Sequence, residues 1–279
     1  MNNRLCPYLA AAFLSSAPGM LLAQDYDYHP YISDAITVSL GAMRSSNSFS
    51  IKADSPSGIG EDIDFDKRLG VSDTSNFFNG QIKWKFGSER KWSLSGQYFS
   101  SQAKGNAVLK EDVEWDDLTF QQGTYAEAGV SIAVTRLFVG RGLVRNEQHD
   151  FGLGIGLHNL DLSAYIEGEV IINDETTGVQ RAEVSGNQPL PNLGGWYNFS
   201  PAKRWLVHGR VDWISASIGD YDGALWNVSA GINYQAWRNV GFDLSWQYFN
   251  LDLNVDKTEW RGGAEMTYSG PVLGMTFNW

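Results

Sequence analysis

The clearest pattern along this chain is an alternation of apolar and polar residues. Near its end, Leu273, Met275, Phe277 and Trp279 alternate with small or polar residues. The same alternation recurs in nine earlier segments. A period of two residues is the spacing of a β-strand with one apolar and one polar face. The sequence therefore predicts an all-β chain.

Turn-like segments divide this pattern into about ten predicted strands, with eight to twelve left open. The parity of the alternation slips after Val134, His158 and Tyr248. Either β-bulges or strands that leave a lipid layer would explain such slips. The predicted strands span about 35–44, 76–87, 91–101, 125–145, 150–163, 189–200, 204–216, 224–236, 240–250 and 262–279.

The two faces of these strands differ from those of a soluble β-sandwich. The polar face is mostly Gly, Ser, Asn, Thr and Gln. In the fourth strand we assign Ala128, Val130, Ile132 and Val134 to the apolar face. Tryptophans near strand ends are typical of the aromatic girdles of membrane barrels. Of the 11 tryptophans, the apolar face carries Trp84, Trp92, Trp205, Trp213, Trp226, Trp246 and Trp279.

This inverted pattern predicts a transmembrane antiparallel up-and-down β-barrel whose apolar face points outward. A sheet in hydrocarbon must close, because an open edge leaves backbone groups without hydrogen bonds. Short polar turns are expected at 87–91, 146–150, 200–204 and 237–239. Longer acidic loops are expected at 45–75, 101–124, 167–188, 217–223 and 250–261, with a possible extra hairpin at 106–115. In outer-membrane barrels the short turns are periplasmic and the long loops extracellular.

The first 23 residues have the composition of a secretory signal peptide. Arg4 is their only charged residue, an apolar stretch covers 5–14, and Pro18 precedes the expected cleavage after Ala23. A membrane anchor is the weaker alternative because the apolar stretch is too short to span. Cys6, the only cysteine, lies in this segment. The prediction leaves a periplasmic N-terminal segment at 24–34 and a barrel at 35–279.

Charge and hydropathy exclude two other classes of protein. After removal of residues 1–23, 20 Lys and Arg remain against 32 Asp and Glu, a net charge of −12. Nucleic-acid binding needs a basic surface, so we expect no nucleic-acid partner. No later apolar run approaches the roughly 18 residues of a membrane helix. We also expect no cofactor.

The polar face carries charged residues that would point into the barrel lumen. Such charges are costly unless they are paired or hydrated. They predict either an internal network that joins distant strands or a polar constriction that selects a solute. Gly152, Gly154 and Gly156 would leave space for Trp196 or for long basic side chains. The predicted lumen cluster is Lys83, Lys85, His158, His208, Arg210, Asp212 and Asp243.

The pattern of strands and the Phe277-Asn278-Trp279 end resemble small monomeric outer-membrane β-barrels of Gram-negative bacteria, with no subfamily identified. The resemblance implies a monomer in the cell outer membrane, in contact with lipid and lipopolysaccharide. It also implies that the barrel-assembly machinery reads a C-terminal signal. That signal would comprise Leu273, Met275, Phe277 and Trp279.

Two functions follow from this class: a narrow or gated channel for small polar solutes, or a closed structural or surface-interaction barrel. A lipid-modifying enzyme is less favoured, because no histidine has the spacing or the nearby nucleophile that outer-membrane hydrolases need. We therefore predict that the chain is not an enzyme. The acidic loops are expected to be solvated, and a weak divalent site shared with lipopolysaccharide phosphates is the alternative. These loops contain Glu61, Asp62, Asp64, Asp66, Glu111, Asp112, Glu114, Asp116 and Asp117.

Overall fold

A computed structural model describes residues 28–54, 62–115, 118–172, 175–256 and 261–279. The predicted signal peptide lies outside these ranges. No helix within them is long and apolar enough to cross a membrane. The helices are α1 (Pro30–Ser33), α2 (Phe65–Arg68) and a 3-10 turn (Ser88–Arg90). The strands are β1 (Ile36–Ala53), β2 (Asp62–Asp64), β3 (Thr74–Phe86), β4 (Trp92–Val108), β5 (Val113–Trp115), β6 (Leu118–Phe120), β7 (Tyr125–Arg145), β8 (His149–Ile172), β9 (Glu175–Ala202), β10 (Trp205–Ile218), β11 (Tyr221–Gln235), β12 (Val240–Asp256) and β13 (Arg261–Asn278).

Ten long strands form one closed antiparallel ring, as the predicted barrel requires. Its order is β1-β3-β4-β7-β8-β9-β10-β11-β12-β13 and back to β1. The last and first strands are joined beyond their ladder, since Ile36 and Trp279 exchange two backbone hydrogen bonds of 2.8 and 2.9 Å. Closure leaves no unpaired edge at this seam, which a lipid environment demands.

The described residues contain thirteen strands, more than the ten or so that the sequence predicts. The additional strands β2, β5 and β6 have three residues each and lie outside the ring. β5 pairs with β6 in a small hairpin, which overlaps the extra hairpin expected near 106–115. We call the end of the barrel with short turns its periplasmic end, and the other its extracellular end.

The prediction of long loops at the extracellular end is largely wrong. β1 continues through Ala53, β4 through Val108 and β12 through Asp256, all within segments predicted as loops. β8 and β9 have 24 and 28 residues, well beyond the roughly 9–11 that cross a bilayer. These strands therefore extend the barrel wall above the membrane.

β12 shows why the strands continue. In its periplasmic part the outward residues are apolar, with Leu244 49% and Trp246 55% exposed. In its extracellular part the outward residues are polar, and the inward residues Phe249 and Leu251 are only 1% exposed. The apolar face of the strand thus changes from the outside of the barrel to the inside along its length. The exposed periplasmic part is an apolar belt that includes all seven tryptophans assigned to it.

The same inversion occurs in the other strands and creates an apolar core inside the extracellular half of the barrel. This extracellular core includes Phe49, Ile51, Val184, Leu253 and Met266, all of them buried. Ala128, Val130, Ile132 and Val134 belong to it as well, so their assignment to the lipid face is wrong. They lie above the lipid layer, where the interior is the side shielded from water.

The parity slips of the sequence mark this boundary. Pairing continues without a register shift through Val134 and His158, and equally through Tyr248. The register shift between β7 and β8 lies elsewhere, between Gly142 and Val144. Of the two interpretations left open, the departure of strands from the lipid layer is therefore the correct one.

Candidate functional site: a polar lumen closed at both ends

The structure points all seven predicted lumen residues into the barrel. Lys83 and Lys85 lie on β3, His158 on β8 and Asp243 on β12. The other three, His208, Arg210 and Asp212, lie on β10. They do not form one cluster but divide into a central ion cluster, a histidine–aspartate pair and a basic group near the periplasmic end.

The central ion cluster is built around Asp212, which is fully buried. Arg210 donates two hydrogen bonds to its carboxylate, 2.8 and 2.7 Å long, and Arg136 on β7 donates another. Asn192 donates a fourth at 3.2 Å. One carboxylate thus faces two guanidinium groups, a geometry that fixes β7, β9 and β10 relative to one another.

Sequence reasoning missed Arg136, which is 1% exposed. The alternation in β7 appeared to place Val134 outward, and Arg136 shares its parity. The signal that could have found it was the parity slip after Val134. In a strand that leaves the lipid layer, every second residue continues to point inward. These inward residues are polar or charged within the membrane zone and apolar above it.

A glycine-lined surface beneath this cluster makes room for bulky side chains. A Cβ atom added at Gly152 would lie 2.2 Å from Trp196 Cζ2, and one at Gly194 would lie 2.1 Å from Asp212 Oδ1. One added at Gly154 would lie 2.7 Å from the ring of Phe138. Arg210 in turn stacks on that ring at 4.0 Å. The predicted use of Gly152 to accommodate Trp196 is confirmed.

A second polar group crosses the lumen below the extracellular core. His208 Nε2 lies 2.7 Å from Asp243 Oδ2. A chain of side-chain amides joins β4, β3, β12 and β11, with donor–acceptor distances of 3.2, 3.0 and 3.2 Å. It runs through Gln97, Asn79, Gln247 and Asn227. These bonds satisfy polar groups that closed lumen walls would otherwise leave without partners.

A cavity of about 100 Å³ lies within this polar region. Its wall includes Lys83, His208, Arg210 and Asp243, together with the side chain of Tyr31. The volume suits a few water molecules or one small polar solute. We call this cavity the lumen chamber.

Helix α1 closes the periplasmic end of the chamber. Lys85 donates to the carbonyl oxygens of Tyr31 and Ile32, the second at 2.9 Å, and Arg145 also donates to Ile32 O at 2.7 Å. Arg238 holds the Asp34 carboxylate through bonds of 2.6 and 3.1 Å. Residues 28–34, the described part of the segment predicted as periplasmic and N-terminal, are thus inserted into the barrel mouth as a plug.

Tyr31 is the part of the plug that faces the chamber. Its hydroxyl accepts a hydrogen bond from Lys83 Nζ at 3.2 Å, and the same ammonium lies 4.4 Å from the ring centroid. Its ring also stacks on His208 at 6.3 Å. At the start of the plug, burial lowers the pKa of His29 to about 4, and the charge of Lys85 acts in the same direction. His29 is therefore neutral at pH 7.

At the extracellular end the wall of the chamber includes Asn79, Gln247 and Val272, and the rest of the apolar core lies above them. Its lowest level is an aromatic layer, whose rings contact one another at centroid distances between 5.5 and 6.3 Å. Every member is at most 7% exposed. The aromatic layer comprises Phe49, Phe77, Phe99, Phe249 and Tyr268.

The acidic segments above the barrel contain ion pairs. Asp64 accepts a hydrogen bond from Lys67 at 3.0 Å, and Glu111 lies 3.0 Å from Arg68. Within the described ranges no group of three or more His, Cys, Asp or Glu is arranged to hold a metal ion. Glu61, Asp116 and Asp117 lie outside the described residues.

Comparison with known proteins supports the fold. No protein-family model matches the chain, and no curated protein matches its sequence. The outer membrane protease OmpT from Escherichia coli aligns over 88% of this chain and 97% of its own, with 11% identity and a TM-score of 0.57. The toluene transporter TodX from Pseudomonas putida aligns over 90% and 91%, with 9% identity and a TM-score of 0.40. The transport unit of the autotransporter AIDA-I from Escherichia coli aligns over 88% and 90%, with 11% identity and a TM-score of 0.39.

The likeness to OmpT shows a shared fold. The fold is that of Gram-negative outer-membrane β-barrels, without assignment to a subfamily. The predicted location in the cell outer membrane agrees with this fold and with the exposed apolar belt.

Proposed function

We propose that this chain is a closed outer-membrane barrel that supports a rigid interaction surface outside the cell. The observation that carries the proposal is the aromatic layer and the apolar core above it. Phe49 and Phe249 are at most 1% exposed in the middle of the lumen. A permanent aqueous path would require these rings to lie apart, and it would expose them to water.

The polar lumen supports a structural role in this proposal. Arg136 and Arg210 both pair with Asp212. Such a network fixes the relative positions of distant strands. The barrel wall above the membrane then holds its shape because its interior is packed like that of a soluble protein.

The second candidate is a gated passage for small polar solutes, and the lumen chamber is the observation that favours it. The plug at the periplasmic end rests on a few polar bonds, which a conformational change could break. The extracellular end would need displacement of the aromatic layer and of the core above it. We therefore rank this candidate below the closed barrel.

We propose no catalytic role. All four histidines lie among the described residues, and none lies at the extracellular end. His29 and His149 lie near the periplasmic end, and His158 and His208 lie within the lumen.

Planar-bilayer recording tests the proposal directly. We expect the wild-type protein to insert without conductance steps, because both ends of the lumen chamber are closed. A variant that lacks residues 28–34 should also stay silent, since the aromatic layer remains. Reproducible steps in the wild type would favour the gated passage, and their abolition by neutral replacements of Lys83 and Arg210 would locate that passage in the lumen.

A further inference from the structure

The longest strand of the barrel is paired on both sides over only part of its length. β9 pairs with β8 from Phe199 up to Glu175. It pairs with β10 only from Ala202 to Leu193. Within the described part of the chain, β9 above Leu193 therefore has β8 as its one neighbouring strand. This upper stretch, residues 179–187, lies on the extracellular side of the apolar belt, and we call it the β9 edge.

Proline explains where β9 and β10 separate. Continued in the same register, the ladder would pair Ile214 with Asn192 and then Ser215 with Pro191. Proline has no N–H group, so it cannot donate to a neighbouring strand. Pairing with β8 nevertheless continues through Pro189 and Pro191, opposite Asn159 and Leu157.

The two prolines also show which backbone groups face the open side. In an antiparallel ladder the N–H and C=O of one residue point to the same side, and successive residues alternate. Because the β8 ladder tolerates proline at 189 and 191, we take odd-numbered residues of β9 to direct their backbone groups away from β8. The backbone groups of Arg181, Glu183 and Ser185 then face the β9 edge.

We propose that the β9 edge binds an extended peptide of another protein, which adds to the sheet as a further strand. Exposed sheet edges recruit peptides in this way through main-chain hydrogen bonds, while alternate side chains give specificity. The nine residues of the edge rise about 30 Å at roughly 3.3 Å per residue. A peptide of similar length would satisfy their backbone groups.

The charges beside the edge define the chemistry of this partner. Glu183 is exposed on the outward face of β9, Asp220 lies in the turn between β10 and β11, and Asp222 lies at the start of β11. Arg181 is held by Glu183 at 2.9 Å and by Glu167 at 3.6 Å, and it stacks on Tyr165 at 3.7 Å. The border of the edge is therefore acidic, while the inward residues Ala182 and Val184 are apolar and buried. A strand with basic residues on one side and apolar residues on the other matches both faces.

This inference rests on the proposed function, since a closed barrel leaves the surface as the place of action. Different results would reject the closed barrel and peptide binding at the β9 edge. Conductance steps would reject the closed barrel, whereas absence of peptide binding to a silent barrel would reject only the β9 edge.

A fluorescent nine-residue peptide of alternating Lys and Val is the probe, with fluorescence anisotropy on the full chain in detergent as the readout. Ser185→Pro removes one edge-facing N–H, as Pro189 and Pro191 already do naturally, and should weaken binding about tenfold or more. Ser185→Ala keeps the N–H and should bind like the wild type. A peptide of alternating Glu and Val should bind at least about tenfold more weakly at low salt. Equal affinity of Ser185→Pro and the wild type, or no binding to the wild type, would overturn the proposal.

Hydrogen exchange keeps the proposal testable even if Ser185→Pro does not fold. In the wild type the amides of Ala182 and Val184, which face β8, should be protected without peptide. Those of Arg181, Glu183 and Ser185 should gain protection only when the Lys–Val peptide is added. Protection of these odd-numbered amides without peptide would show that the edge is already covered. If that protection also rose with protein concentration, a second copy would be the occupant, and the proposal would be wrong.

Discussion

At the residue scale, the buried charges of the lumen act as ties between strands. Asp212 is the only carboxylate that the structure places against both Arg136 and Arg210 within the described chain. Removal of one partner of a buried ion pair leaves the other charge without compensation. The stability of the barrel should therefore depend more on Asp212 than on either arginine.

We expect Asp212→Asn to lower the free energy of unfolding by about 3–5 kcal/mol, because it leaves two buried guanidinium groups without a carboxylate. Arg210→Met should cost less, since the Arg136–Asp212 pair remains. Urea titration of folded barrels in lipid vesicles, followed by tryptophan fluorescence, measures both variants. A larger loss for Arg210→Met than for Asp212→Asn would contradict this assignment.

His29 makes the docking of α1 sensitive to acid. Its pKa in the docked plug is about 4, below its ordinary value of 6.5, so the docked state binds fewer protons between these pH values. Docking is at full strength above about pH 6.5 and weakens as the pH falls towards 4. A difference of this size corresponds to about 3 kcal/mol, or roughly a few hundredfold in the docking equilibrium.

Hydrogen exchange of the plug measures this effect. The amides of Ile32 and Asp34 donate to His29 O and Pro30 O at 2.8 Å, so they report the docked state. After correction for intrinsic rates, their protection should fall between pH 6.5 and 4 in the wild type. It should change much less in His29→Gln, where that titrating ring is absent. Equal pH dependence in both proteins would assign the effect to other groups, such as Asp34.

At the element scale, the ring closes where β13 meets β1. Phe277 and Met275 lie opposite Val38 and Leu40, and all four side chains point outward. We propose that this outward row of β13 is also the signal read by the barrel-assembly machinery. The same row contributes lipid contacts in the finished barrel, so a suitable control must remove similar contacts elsewhere.

Replacement of Phe277 and Trp279 by alanine should reduce the amount of folded barrel in the outer membrane several-fold. Replacement of Phe242 and Leu244, which are 45% and 49% exposed on the outward face of β12, should have a smaller effect. Immunoblots of heat-modified and unmodified bands from outer-membrane fractions compare the two. Equal losses would indicate a role in lipid contact alone.

The sequence predicted the strands of the membrane zone well because one rule governs them: apolar outside and small or polar inside. It failed above the membrane, where Phe49, Ile51 and Val184 continue the inward parity of their strands. The alternation distinguishes the two faces of a strand but does not show which face is shielded from water. Apolar residues that point inward were therefore assigned to loops or to the lipid-facing side. Arg136 was missed for the same reason, while Lys83, Arg210 and Asp212 followed from parity because they lie below the boundary.

The plug and the pairing at the extracellular end depend on contacts between distant segments. Nothing in residues 28–34 alone indicates that their carbonyl groups bind Lys85 and Arg145. Pro189 and Pro191 did carry a signal, since prolines in a strand indicate an edge. That signal becomes interpretable only when the neighbour across Pro191 is known.

At the scale of the whole molecule, the two halves of the barrel differ in which side of the wall is apolar. Its periplasmic half has an apolar exterior and a polar lumen, and its extracellular half has an apolar core and a polar exterior. The core closes the lumen chamber from above and α1 closes it from below. This arrangement explains both the closed passage and the extension of the wall beyond the membrane.

Spin-label accessibility along β12 tests this inversion most directly. Cysteines introduced at Leu244 and Asp252 both point outward from the same strand, so they differ only in height. We predict that a label at 244 collides with oxygen dissolved in lipid, and that a label at 252 collides with a water-soluble nickel complex. Two labels in the same environment, both in lipid or both in water, would contradict the account.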